Sequence, residues 1–164
     1  MRIDFLLPAL LAPFAVLAAP LDISGNELAI RQARPTKPPP CVRNLDTTEA
    51  QTKTRSEAFA QAFIYKKDIT EAFKYISQDY INHNPAAQNG FDSAWNILSP
   101  IWGSQNLTPL RTAFKHPQSW VNYRSGFGEI VDRFRWEGGC IVEHWDQGER
   151  FPTTTVASAN ACKA

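Results

Sequence analysis

No run of basic residues, no internal repeat and no glycine-rich phosphate cradle occurs in this chain. With a formal net charge of +1, the electrostatic footprint that nucleic acid demands is missing, which argues against such a partner. Histidine is scarce, and the three that occur, His83, His116 and His144, show no paired ligand spacing, which argues against a zinc site. Cysteine is equally sparse, confined to Cys41, Cys140 and Cys162. No apolar run reaches the roughly 20 residues that a membrane-spanning helix needs.

The longest apolar stretch, Phe5 to Ala18, is broken by Pro8 and Pro13 and follows Arg2. Val16-Leu17-Ala18 suits signal-peptidase cleavage before Ala19, so residues 1–18 read as a signal peptide. A buried N-terminal helix and an uncleaved signal anchor stay open as alternatives. Secretion is the expectation, with no stable membrane insertion after cleavage. Asn106-Leu107-Thr108 is an N-glycosylation sequon, which agrees with that route. Residues 19–40 hold five prolines and no dibasic site, and read as a disordered linker or pro-segment. A Cys41–Cys162 disulfide would staple the ends of the remaining unit, 41–164, and contribute on the order of 4–5 kcal/mol in the chain-entropy model. Three free thiols are the other possibility. The count is odd, and Cys140 is the residue expected to stay unpaired.

Without signal and leader, about 120 residues remain, enough for one domain. Thr48-Glu49-Ala50-Gln51 fits a capping box, and Ala58, Phe59, Ala62 and Phe63 recur at helical spacing, predicting a helix to about Lys66. Asp68 can open a second helix with a stripe of Ile69, Ala72, Phe73 and Ile76. Tyr80 to Asn84 reads as extended, because Pro85 biases the residue before it away from the helical region. A third helix is expected from Asp92 to Leu98. Four strand-like runs follow, Leu110–Lys115, Trp120–Arg124, Glu129–Trp136 and Ile141–Asp146, with short connections that favour antiparallel pairing. Helices first and strands last predict an α+β domain, helices on one face of a curved sheet, with a ligand in the open mouth between them.

The last two runs flank Gly138-Gly139, a dipeptide suited to the positive φ angles of a two-residue hairpin turn. This hairpin carries carboxylates, a histidine and two tryptophans where a plain one carries Val, Ile and Thr. Tyr80-Ile81-Asn82-His83-Asn84-Pro85 with Gly90, and Asp132-Arg-Phe-Arg with Ile141-Val-Glu-His-Trp-Asp146, resemble the two signatures of the SnoaL-like polyketide cyclases. The likeness spans Leu45 to Gln147. It implies the nuclear-transport-factor-like, cystatin-like α+β fold: a cone of about three N-terminal helices packed on a strongly curved antiparallel sheet of four to six strands. It also implies an apolar pocket, a homodimer through the outer sheet face, and acid–base chemistry without a cofactor.

By that resemblance Asp146 takes the place of the acid/base, and Asp132 stands where the family has a histidine. His83 is the expected assistant at the mouth. Tyr80, Trp102, Tyr123, Phe134 and Trp145 are expected to line the pocket, whereas His144 is expected to be structural, one ring nitrogen tied to backbone or a carboxylate. In a plain hairpin Asp132 would face Trp145, which puts the two aspartates on opposite faces. Both reach one pocket only through a β-bulge, expected around His144-Trp145. The function implied is a cyclase, isomerase or dehydratase (a lyase) acting on a small apolar oxygenated metabolite of polyketide or terpenoid type, in secondary metabolism. A secreted non-catalytic small-molecule binder with the same cone, or an interaction protein using the sheet face, are the alternatives.

Overall fold

A computed structural model of the chain describes residues 34–153. The expected signal peptide, the leader as far as residue 33, and Cys162 lie outside the described residues. Helix α1 (Glu49–Ala60) starts on the expected capping box: the Thr48 hydroxyl accepts from the Gln51 amide, and the Gln51 side chain accepts from the Thr48 amide. It continues as a π-helix (Gln61–Lys66), whose wider turn brings Ala62, Phe63 and Ile64 into the core before Lys67 ends it in a left-handed conformation. Asp68 caps α2 (Ile69–Phe73) through its carboxylate on the Glu71 amide.

Ile76, expected on the stripe of α2, instead opens strand β1 (Ile76–Asn82). Sheet partners take the backbone there: the Ile141 amide donates to the Tyr75 carbonyl and the Cys41 amide to that of Ile76. After α3 (Phe91–Leu98) and a 3-10 turn at Trp102–Ser104 come β2 (Thr108–Lys115), β3 (Gln118–Ser125), β4 (Gly128–Glu137) and β5 (Cys140–Trp145). The sheet order is β1-β5-β4-β3-β2. Three of its pairings are antiparallel, but β1 and β5 run parallel, so the sheet is mixed and not purely antiparallel. A parallel pair cannot be joined by a hairpin, and α3 with three strands supplies the crossover.

Helices and the inner sheet face close on an aromatic core. Phe59 meets Phe134 edge-to-face at 4.9 Å, and Phe63 stacks on Trp102 at 4.1 Å. The buried indole groups are satisfied: Trp102 Nε1 donates to the Phe63 carbonyl and Trp136 Nε1 to the Ser119 hydroxyl. The packed unit starts earlier than the expected boundary at Cys41. Thr70 Oγ1 donates to the Thr36 carbonyl, Pro38 is buried, and Lys37 pairs with Asp92.

The hairpin turn falls on Gly138-Gly139 as expected, with φ of 54° and 76° and Glu137 opposite Cys140. A Cβ on Gly138 would stand 2.9 Å from Arg43 Cβ, so this turn tolerates no side chain. The expected disulfide is corrected here. Cys41 bonds to Cys140, not to Cys162. The reason is the close seating of residues 41–47 against the turn: the Asn44 amide donates to the Gly138 carbonyl, and Arg55 Nε donates to that of Gly139. Cys140, the first residue of β5, thereby meets Cys41 with Cα atoms 5.8 Å apart. Among the described residues no helix is long and apolar enough to cross a membrane. Cys140→Ser is expected to lower the free energy of unfolding by about 2–5 kcal/mol, as for other small domains that lose a native disulfide. The urea midpoint measures it, and adding reductant to the wild type should reproduce most of the loss.

Candidate active site

One extra residue in β5 builds the site. Trp136 pairs with Ile141, but Arg135 pairs with Glu143, so Val142 has no partner in β4. Beyond this bulge Phe134 faces His144 and Arg133 faces Trp145. The next step puts Asp132 opposite Asp146. The required bulge therefore exists, earlier than expected, at Val142 and not at His144-Trp145. It turns His144 and Asp146 to the inner face, where they join Asp132 at a cavity of about 100 Å³.

Tyr80, Trp102, Tyr123 and Phe134 line that cavity with Phe63 and Leu98. Trp145 does not. It lies on the outer face, its ring 4.4 Å from that of His83 and 3.9 Å from the Arg133 guanidinium. His83 is likewise outside the cavity, its Nε2 2.9 Å from Glu143 Oε2. Strand alternation explains this correction: Asn82 and Asn84 point inward, so the residue between them points out.

The polar groups form a single chain. Asn82 Oδ1 accepts from the Asn84 amide at 3.1 Å, which fixes its side-chain orientation. His144 Nδ1, 3.2 Å from the same oxygen, must therefore donate to it. The other ring nitrogen, Nε2, lies 3.0 Å from Asp132 Oδ1. Two acceptors cannot share that contact, so a proton lies between them. His144, expected to be only structural, is tied to a carboxylate as foreseen but at the heart of the cavity.

Asp146 completes the group. Its Oδ2 accepts from Asn84 Nδ2 at 2.6 Å, and Asn84 is itself oriented by the Ala86 amide on its Oδ1 at 2.8 Å. The other oxygen, Oδ1, is buried and accepts no hydrogen bond from the described residues. Asp146 also borders an open cleft of about 370 Å³ with Asn84, Pro85, Ala86, Ile130 and Gln147. It stands where the surface opens into the interior. Burial, reinforced by the charges of Asp132 and Asp146, pushes the hydroxyls of Tyr80 and Tyr123 well above the ordinary tyrosine range. Both stay neutral, and Tyr123 lines the same cavity as Asp132. Asn82, Asn84 and His144 are the site members that residue-by-residue reading passed over. The alternation in Tyr80 to Asn84 was the signal for the two asparagines.

No family model and no curated protein matches the sequence. Solved structures match in fold. An NTF-2-like protein of unknown function from Burkholderia xenovorans aligns with a TM-score of 0.50 at 15% identity, over 65% of this chain and 89% of its own. A SnoaL-like protein of unknown function from Burkholderia thailandensis gives 0.47 at 14% identity, over 60% and 95%. TsrD from Streptomyces laurentii gives 0.45 at 19% identity, over 61% and 89%. The described domain is an α+β cone of three helices on a five-stranded mixed sheet. Its fold is the NTF2-like fold, and the first of these structures carries that conclusion.

Outside the cavity, Glu143 is held by two partners, His83 and Arg135. Burial raises its pKa, but hydrogen bonds and charge from His83 and Arg135 outweigh that and leave it below the ordinary value of 4.5. The folded state thus favours the ionised form. Its contribution is present above the unfolded-state pKa and lost as pH falls through the folded one. The stability gap between wild type and Glu143→Gln should therefore be widest near neutrality and shrink below about pH 4. Urea denaturation at a series of pH values measures it.

Proposed function

We propose that this domain is a cofactor-independent acid–base catalyst, a cyclase, isomerase or dehydratase, acting on a small apolar metabolite that bears a carbonyl or hydroxyl oxygen. The observation that carries this reading is the unpartnered, buried Asp146 Oδ1 beside a proton held between Asp132 and His144. Base and acid stand on one wall of an aromatic cavity. Asp146 would remove a proton from a carbon next to a carbonyl, and the bonding pair would move onto the carbonyl oxygen. That oxygen would take the proton from the Asp132–His144 pair, with the Tyr123 hydroxyl as a further donor.

The resulting enol has three exits. Reprotonation at another carbon gives isomerisation, loss of a protonated hydroxyl gives dehydration, and attack on a second carbonyl gives ring closure. The cavity admits one small ring, or the reacting edge of a longer molecule continuing into the cleft at residues 84–86. Aromatic walls exclude water and strengthen the charges within. Secretion belongs to the same reading, supported by the Cys41–Cys140 disulfide, which suits an oxidising compartment, and by the exposed sequon at Asn106. So does a homodimer through the outer sheet face.

The test is metabolite profiling of a deletion strain complemented with wild type or with Asp146→Asn. Wild type should restore the missing product, and Asp146→Asn should leave less than about 1% of the flux, the scale expected when a general base is removed. Full restoration by Asp146→Asn would refute the mechanism and favour a binder that keeps the cavity without the chemistry.

A further inference from the structure

The three side chains that face one another at the cavity wall meet the requirements of another chemistry. His144 and Asp146 are two apart on one strand, so both project from the same face, and Asp132 comes across from β4. One donor atom from each lies within 4.8 Å of the others. The 3.0 Å between His144 Nε2 and Asp132 Oδ1 is within a few tenths of an ångström of the edge, about 3.4 Å, of a tetrahedral shell with bonds of about 2.1 Å. We propose that Asp132, His144 and Asp146 form a site for one divalent transition-metal ion, of which Zn2+ and Co2+ are the fitting examples.

Four further observations converge on this. Asn82 Oδ1 takes the Nδ1 proton of His144, which frees Nε2 as the ligand nitrogen, the outer partner that metal-bound imidazoles require. Asn84 Nδ2 holds Asp146 by its Oδ2 alone, so Oδ1, buried and unpartnered, is left as the ligand oxygen. No lysine or arginine lines the cavity, leaving the two carboxylates without a fixed cation there. One nitrogen and two carboxylate oxygens match borderline ions such as Zn2+, while calcium would need six or more oxygens. Tyr123 and Trp102 line the same cavity, and a water or a ligand oxygen there would complete the shell.

This inference shares the site with the acid–base reading but not its chemistry. The ion would take the place of the proton between Asp132 and His144, so metal occupancy and proton transfer would exclude each other. Binding is therefore measured without substrate, and its failure leaves the metabolite experiment untouched. The untagged full-length chain, stripped with chelator, is titrated with Co2+ and followed by visible absorbance and calorimetry. One ion per chain is expected, with the visible bands of a low-coordinate Co2+ complex, displaced by equimolar Zn2+. His144→Gln and Asp146→Asn should each weaken binding at least about 100-fold, and Asn82→Ala about tenfold. His83→Gln, on the outer face, should bind as wild type does. Far-UV circular dichroism checks the fold of each variant. Should a ligand variant unfold, the Asn82→Ala weakening and a Zn2+-dependent rise in wild-type Tm decide in its place. Absence of stoichiometric Co2+ binding, affinity unchanged in the His144, Asp146 and Asn82 variants, or loss in His83→Gln alone would overturn the proposal.

Discussion

A single unpaired residue, Val142, decides which side chains meet in the cavity of this domain. Strand side chains alternate with a period of two, so any register decides the face of every residue beyond it. Without the bulge, Asp132 and Asp146 would point to opposite sides of the sheet. With it they face each other, flank His144 and close one wall of the cavity. The aromatic core, the asparagine supports and the outer ion pairs all assume that register. Inside, Phe134 packs under the helices. Outside, Glu143 receives His83 and Arg135 because the same step turned it outward.

The two faces of the hairpin have been given different work. The inner face concentrates polar groups in an aromatic-lined cavity, where hydrogen bonds are strong and an unsatisfied oxygen is costly. The outer face balances its charges locally. Arg133 grips Glu149 with two bonds, and Arg135 and His83 each hold one oxygen of Glu143. Such pairs contribute modestly to stability individually. Their larger effect is to hold β4 and β5 in register, which keeps the inner groups in position.

Much of the architecture could be read from local chemistry. The capping box at Thr48, the cap at Asp68 and the Gly138-Gly139 turn are short-range signals, and each sits where its residues predict. The aromatic lining and the need for a bulge were legible as well. What failed were statements about partners distant in sequence. The parallel β1–β5 pairing and the Cys41–Cys140 bond depend on where the N-terminal segment seats itself, and no local pattern encodes that. Ile76 had a helix-compatible spacing, but sheet hydrogen bonds claimed its backbone. His83 and Trp145 carried suggestive chemistry, yet alternation around Asn82, and then the bulge, sent them outward. Asp132, His144 and Asp146 come together from two strands, so no spacing motif except His144-Trp145-Asp146 marks their meeting in the sequence.

The parallel pairing of β1 with β5 has a consequence for how the domain comes into being. Asn82 and Asn84 reach His144 and Asp146 only when the end of β1 lies beside the end of β5, a separation of 62 residues. The entropy of closing so long a stretch is offset only after the β2–β3–β4 meander exists to receive it. Contacts of that kind form late. On the ribosome, β1 emerges early and must wait for the last strand before its asparagines find their partners. A fragment ending before β5 keeps at most the local contacts among Asn82, Asn84 and Ala86, and a chain cut short there would present an aromatic cone open on one side to whatever apolar surface it met.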